Sequence, residues 1–405
     1  MPPVAALYRI RMRMTARAID EPHRTASPLE LLFDLTFVVA VAAVTAQFAR
    51  DIAEGQARSG VVSFLEVFFA VWWAWMNFTW FASSYDTDDV AYRLLTMVQM
   101  AGVLTLAAGV PAAGAEPDFR LITAGYLVMR VALVAQWLRA AVEHPESRRT
   151  ALRYAAGITA LEVGWILRLT LAETGALPDR VDLPSFVVLA ALELAVPWWA
   201  ERSGPTAWHP HHIAERYGLF TIILFGESVL AASNGVRAAL DASAAGGSLV
   251  VIVGSGLVLL FALWWLYFLL PSGEGLSERR LRSYPWGYGH FGVFAALAAL
   301  GAGLEVAVER TGHHLAVSPI AACYAVAAPT ALFVVLLHAT HTPILAPHVI
   351  PAAVALCGAA AFLLLPLAAP VAGTAAVVAA LAVVAVLMVL ATYLAAARRY
   401  APVGA

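Results

Sequence analysis

Apolar runs of about twenty residues follow one another along almost the whole chain, separated only by short polar or Pro/Gly-rich breaks. A helix needs ~20 apolar residues to cross a hydrocarbon core ~30 Å thick, and only helices or closed barrels satisfy their backbone groups there. The breaks delimit spans near 29–50, 61–82, 93–113, 119–142, 150–172, 183–200, 213–236, 247–270, 285–308, 317–339, 345–369 and 371–396. Within 405 residues, 61% hydrophobic against 13% charged excludes a soluble globular domain. The chain is expected to be an all-α, polytopic transmembrane helix bundle of about 12 spans, with the lipid bilayer as its obligatory partner. The break at Pro366 and Pro370 is the weakest in the series, because Ala, Val and Leu dominate on both sides.

Loop charge orients the bundle, since cytoplasmic loops carry the excess of basic residues. All 25 basic residues are Arg. With the N-terminus inside, 17 fall on the cytoplasmic side, six outside, and Arg130 and Arg168 within spans. Both termini are therefore expected in the cytoplasm and the protein in the cell inner membrane. A cleaved signal peptide is not expected, because the first apolar run starts only near residue 29 and contains Glu30 and Asp34.

Two stretches resemble each other. Glu30 and Thr36 recur as Glu215 and Thr221 at an offset of 185, Trp72-Trp73 recurs as Trp264-Trp265 at 192, and Gln99 corresponds to His290 at 191. The pattern predicts a basic N-terminal segment over 1–28, a first six-helix half over 29–200, a linker over 201–212 and a second half over 213–399. Halves with an even number of spans lie parallel, as in some transporters built from repeats.

Charged residues inside spans carry the functional expectation, because each costs about 2.5–3.5 kcal/mol at the centre of a lipid-facing helix and therefore pairs or lines a pathway. Arg130, Glu162, Glu193 and Glu227 occupy the middle portions of their spans. Arg130 is expected to pair with Glu162 or Glu193, on consecutive spans. Glu227, in Phe225-Gly226-Glu227-Ser228, has no intramembrane Arg in its half and small residues on either side, the setting of a proton-relay carboxyl. Glu30 and Asp34 lie four apart on one helix face and call for cations, from the Arg-rich N-terminus or from a bound ion. Their alternative reading is stabilisation of the positive helix N-terminus at headgroup level.

The run Trp208-His209-Pro210-His211-His212-Ile-Ala-Glu215 gathers imidazoles and a carboxylate, so His209, His211 and His212 are candidate metal ligands, with plain interfacial polarity as the competing reading. Tyr85-Asp86-Thr87-Asp88-Asp89 is an acidic cytoplasmic loop expected to pair with Arg153 or with Arg279, Arg280 and Arg282. Cys323 and Cys357 both lie in apolar segments and predict neither a disulfide framework nor a thiolate site. HExxH, GxSxG and Walker-type motifs do not occur, which excludes an ATP-driven pump as a single chain and leaves an enzyme the less favoured class. No cofactor is expected, and a net charge of -2 does not point to nucleic acid.

Three motifs together resemble the bacterial low temperature requirement protein A family: Ser27-Pro-Leu-Glu30-Leu-Leu-Phe33-Asp34-Leu-Thr36-Phe37-Val-Val-Ala40; Trp72-Trp73-Ala-Trp75-Met-Asn77 followed by Tyr85-Asp-Thr-Asp88-Asp89; and His211-His-Ile-Ala-Glu215-Arg216-Tyr-Gly218 running to Gly226-Glu227-Ser228. The resemblance covers most of 22–340, with Thr36 standing where an aliphatic residue is more usual. It implies a multi-pass inner-membrane protein associated with growth in the cold and brings no substrate or catalytic residues with it. Asp34, Phe37 and Ala40 in a duplicated six-helix layout are also similar to the start of the lysosomal-type potassium-channel family, with Phe33 in place of that family's Ser.

The favoured expectation is an ion- or proton-coupled transporter using Glu227, Glu162 and Glu193 as coupling carboxylates and Arg130 as their counter-charge, moving a small ion or solute. The first alternative is a cation channel with Glu30, Asp34 and Glu215 around its mouth. The second is a membrane-embedded enzyme using the His209/His211/His212/Glu215 cluster.

Overall fold

Each apolar run closes its own backbone hydrogen bonds as a helix, the only local solution where water is absent. In the computed structural model, which describes residues 10–19, 21, 24–115, 118–241, 246–346 and 349–400, these helices are α1 (Pro28–Ala53), α2 (Ala57–Tyr85), α3 (Val90–Ala115), α4 (Arg120–Glu143), α5 (Arg148–Glu173), α6 (Asp179–Glu201), α7 (Pro210–Asp241), α8 (Gly247–Phe268), α9 (Ser272–Glu278), α10 (Ser283–Glu309), α11 (Pro319–His341), α12 (Ala352–Leu364) and α13 (Ala369–Tyr400). No strand occurs among the described residues. Among the described residues eleven helical stretches are long and apolar enough to cross a membrane, near the twelve expected. The difference lies at the Pro366/Pro370 break. It is present as a 3-10 turn over Leu365–Ala368, with Gly373 at φ 82° just beyond, but α12 has only 13 residues. At 1.5 Å per residue it reaches about 20 Å, short of the ~30 Å core.

The chain divides into two compact units. Unit 1 comprises Met1–Ala43 and Glu66–Arg216; unit 2 comprises Val44–Leu65 and Tyr217–Ala405. These differ from the expected halves at 29–200 and 213–399 in that the α1–α2 turn belongs with unit 2. Val317 N–H donates to Ala53 O at 3.3 Å, and Phe48 stacks on Phe64 at 4.7 Å within that unit. The sequence counterparts of the repeat also sit in different environments. Trp72 and Trp73 are buried in unit 1, whereas Trp264 and Trp265 are 44% and 48% exposed.

Within unit 1, α3 and α4 approach through glycine. A Cβ on Gly125 would lie 2.4 Å from Leu106 N and 2.5 Å from Gly102 O, and one on Gly102 would lie 2.6 Å from Gly125 O. Lipid tails are as apolar as side chains, so helices associate by close packing of small residues rather than by hydrophobic exclusion. In unit 2, α10 and α11 use the same device, a Cβ on Gly303 meeting Ala325 O at 2.1 Å. Aromatic rings fill the wider gaps, with Trp137 stacked on Tyr154 at 4.1 Å and Phe33 on Phe78 at 4.0 Å.

The described part of the N-terminal segment runs across the loop end of unit 1 and supplies the partners of the acidic loop; Arg9 lies outside the described residues. Arg17 and Arg24 each reach Asp86 Oδ2 at 3.4 Å, and Met12 N–H donates to Asp89 Oδ2 at 2.8 Å. Arg139 closes on Asp89 at 2.5 Å, and Asp88 pairs with Arg93 at 2.7 Å. Within unit 1 the loop is thus paired by the N-terminal segment, by α3 and by α4, through Arg17, Arg24, Arg93 and Arg139 in place of the expected Arg153.

Burial pushes the Asp86 carboxyl up to about 6, helped by the neighbouring Glu30 and only partly offset by Arg24 and Arg17. Asp89, despite its own desolvation, is held down to about 2 by Arg139 and two backbone N–H donors. A carboxyl raised above its unfolded value favours the fold when protonated, so the Asp86 contribution falls as pH rises from about 4 to about 6. The melting temperature of Asp86→Asn relative to wild type, in detergent, is expected to climb across that window, by up to about 3 kcal/mol of stability. Gly125→Leu is expected to lower stability by at least about 1–3 kcal/mol through overpacking, read by the same thermal unfolding.

Candidate functional site

The first turn of α1 is written by a capping box. Ser27 Oγ accepts Glu30 N–H at 3.3 Å, Glu30 Oε2 accepts Ser27 N–H at 2.7 Å, and Pro28 takes the first helical position, where its missing N–H is no loss. Glu30 and Asp34 then fall one turn apart on a face that is 0% and 1% exposed. The cation they call for is Arg216 from α7. Its guanidinium forks onto Asp34, Nε to Oδ2 at 2.9 Å and Nη2 to Oδ1 at 2.5 Å, while Nη1 reaches Glu30 Oε1 at 3.0 Å. His212, one turn before Arg216, places Nε2 3.1 Å from Glu30 Oε1; Arg24 stands 3.8 Å from the same oxygen; and Trp75 Nε1 donates to Asp34 Oδ1 at 2.7 Å. Planar bidentate recognition of this kind suits Arg and not a point charge. Glu30 and Asp34 thus lie in a charge-paired contact in the protein interior.

A second cluster lies deeper in unit 1. Arg130 takes both expected partners: Nε is 3.3 Å from Glu162 Oε1, and Nη2 donates to Glu193 Oε2. Glu193 also accepts from Trp73 Nε1 at 2.9 Å, Trp165 Nε1 at 3.3 Å and Tyr126 OH at 3.3 Å, and the Tyr126 ring faces the guanidinium at 4.8 Å. Neither oxygen of Glu162 has a hydrogen-bond donor. Trp73 and Trp75 are two residues apart on α2, so their indoles point to nearly opposite sides of the helix. One serves Glu193 and the other Asp34.

The three-histidine site is not assembled. His212 is committed to Glu30; His209 Nδ1 accepts His212 N–H at 3.3 Å at the start of α7; and the His211 ring is 5.9 Å from that of His209. Burial, reinforced by His211, holds the His209 imidazole below its ordinary range, which suits its role as a neutral acceptor. Glu215 is half-buried, its Oε2 accepting Ala26 N–H at 3.1 Å. Among the described residues no group of three or more His, Cys, Asp or Glu is arranged to hold a metal ion. The helix turn sends successive histidines in different directions, and the expected ligand set of His209, His211 and His212 is corrected accordingly.

In unit 2, Glu227 is buried and its Oε2 has no hydrogen-bond partner. The charged group that acts on it is Glu305 of α10, whose own Oε2 is likewise without a partner. The small residues beside Glu227 behave differently from each other. Ser228 packs on α10, where a Cβ on Gly301 would lie 3.1 Å from it, whereas Gly226 faces open space. A separate polar knot joins His290, whose Nε2 accepts from Tyr267 OH at 3.2 Å, to the His341 ring at 5.3 Å; His341 Nε2 in turn accepts from Ser272 Oγ at 3.1 Å. Both Nδ1 atoms face backbone carbonyls, of Trp286 and Leu337, and so carry a proton. Sequence reasoning overlooked Arg216, His212 as a partner of Glu30, the two indole donors and Glu305. Only the capping box Ser27-Pro-Leu-Glu30 and the spacing Trp73-Ala-Trp75 carried a readable signal.

Many long apolar helices with paired charges inside them define a polytopic membrane protein. The chain belongs to the family described as Bacterial low temperature requirement A protein, which matches residues 25–392. It is also similar to an uncharacterized protein of Rhizobium meliloti (strain 1021), 27% identical over 289 residues and covering 67% of each chain. No solved structure matches.

Arg216→Met is expected to strand two fully buried carboxylates and cost about 3–5 kcal/mol. Trp75→Phe removes one donor to a charged acceptor and should cost about 1.5–3 kcal/mol. Thermal unfolding of the detergent-solubilised variants checks both, and an Arg216→Met protein as stable as wild type would refute the neutralising role.

Proposed function

We propose that this membrane protein is an ion- or proton-coupled transporter of the cell inner membrane, with its N-terminus cytoplasmic. The Arg asymmetry of the loops supports the orientation. The coupling role is carried by one observation: the buried Glu227 carboxyl feels the charge of a second carboxyl, Glu305 of α10, and among the described residues Oε2 of each lacks a hydrogen-bond partner. Two ionised carboxylates in a low-dielectric interior repel and remain undersolvated. The pair is relieved by a proton or a small cation, and cyclic loading and release of that ion is the chemistry of coupled transport. Arg130 with Glu162 and Glu193 offers a second surplus carboxyl, in unit 1, where Glu162 is the weakly held member.

The two alternatives find less support. A channel mouth at Glu30, Asp34 and Glu215 would need free carboxylates, and Arg216 already occupies the first two. An enzyme at His209, His211 and His212 would need imidazoles converging on one centre, and these rings have separate partners.

The test is ion flux into proteoliposomes under imposed proton and cation gradients. Wild-type protein is expected to carry flux, and Glu227→Gln or Glu305→Gln to abolish it while melting normally. Undiminished flux in folded Glu227→Gln protein would sink the proposal.

A further inference from the structure

In unit 2 a groove of about 840 Å³ runs between α10, α11 and the α1–α2 turn. Its floor follows from the same small residues that let α10 and α11 pack closely: Gly292, Ala295 and Ala299 on one helix, Ala321, Ala325 and Ala328 on the other. Phe48, Phe64, Phe291 and Tyr324 form walls, and the lining is almost wholly apolar. From Ser318 to Leu332 the groove follows α11 for fourteen residues, about 21 Å at 1.5 Å per residue. One leaflet of the hydrocarbon core is about 15 Å deep, so the groove has the length of a lipid chain anchored at the end where α11 begins.

That end carries cations. Arg58 is exposed, one residue after Ala57 of the groove lining, and Arg310 borders the same lining at Val317, its Nη1 donating to Val317 O at 2.5 Å. Glu54 is also exposed on the same turn, while Asp51 is buried and held by Gln47 at 2.8 Å. The mouth therefore mixes signs. It matches a phosphodiester seated on Arg58 and Arg310, with room for a headgroup of either charge, better than it matches a purely anionic surface.

We propose that unit 2 holds a glycerophospholipid, one acyl chain lying along the α10–α11 groove and its phosphodiester against Arg58 and Arg310. The site is independent of the transport reading. Ala321 and Ala328 point into the groove and are exposed, so a large side chain there fills the space without disturbing the packed interface.

Native mass spectrometry of the full chain in detergent, titrated separately with phosphatidylglycerol, phosphatidylethanolamine and diacylglycerol, tests the assignment. Wild type is expected to retain one molecule of either phospholipid, and diacylglycerol about tenfold more weakly, the equivalent of one charge-assisted contact. Ala321→Trp and Ala328→Trp, melting as wild type does, are expected to lose that lipid. Arg58→Glu should weaken both phospholipids about tenfold and leave diacylglycerol unchanged. Equal retention by the tryptophan variants, or no retained phospholipid in wild type, would overturn the site. Diacylglycerol bound as tightly as the phospholipids would overturn the phosphodiester contact.

Discussion

A guanidinium placed against two carboxylates without water is the contact on which unit 1 depends. Glu30 and Asp34 are buried because α1 must present one face to its neighbours, and an acidic pair in that position is tolerable only with a fixed cation. Arg216 supplies it in a geometry no other side chain offers, one fork on Asp34 and the remaining nitrogen on Glu30. His212 Nε2 approaches Glu30 Oε1 at 3.1 Å, and Trp75 Nε1 donates to Asp34 Oδ1 at 2.7 Å. The start of α1 and the start of α7 are consequently held together by charge, in a solvent where such a contact is hard to break and expensive to leave half made.

From that latch, α2 transmits a second contact. Its Trp75 serves the Asp34 cluster and its Trp73 the Glu193 cluster, so one rigid helix spaces two buried ionic centres. The centres differ in saturation. Glu193 accepts from Arg130 and from three neutral donors, whereas Glu162 has only a 3.3 Å approach from Arg130 Nε. Saturated ion pairs hold helices in register; undersaturated carboxyls are where a mobile ion has something to gain. By that criterion Glu162 in unit 1, and Glu227 and Glu305 in unit 2, are set apart from Asp34 and Glu193, while Glu30 Oε1 lacks a hydrogen bond but has the Arg216 guanidinium at 3.0 Å.

Much of this was legible before any coordinates. The pairing of Arg130 with Glu162 and Glu193 followed from the cost of three charges on consecutive spans, and the special position of Glu227 from the lack of any Arg in its half. What misled was adjacency in sequence. His209, His211 and His212 are neighbours in the chain but diverge at the start of a helix, while Asp86 and Asp89 find cations in the N-terminal segment and in α4, some fifty to seventy residues away. Glu305 was overlooked because it lies near the end of its helix, where a carboxyl ordinarily faces water.

By itself the sequence determined the class of fold, the placement of nearly every span and the family, because a nonaqueous solvent forces each twenty-residue apolar run into a self-satisfied helix whatever its neighbours do. Motif spacing added the shared face of Glu30 and Asp34, a local consequence of helical periodicity. Only the tertiary structure decided which cation meets which carboxylate, that the α1–α2 turn belongs with unit 2, and that α10 and α11 leave a lipid-length groove. Those outcomes rest on contacts between segments far apart in the chain, such as Asp34 with Arg216 and Ala53 with Val317. Such contacts are set by close packing of small residues and by charge neutralisation, neither of which has a period that one strand of sequence can display.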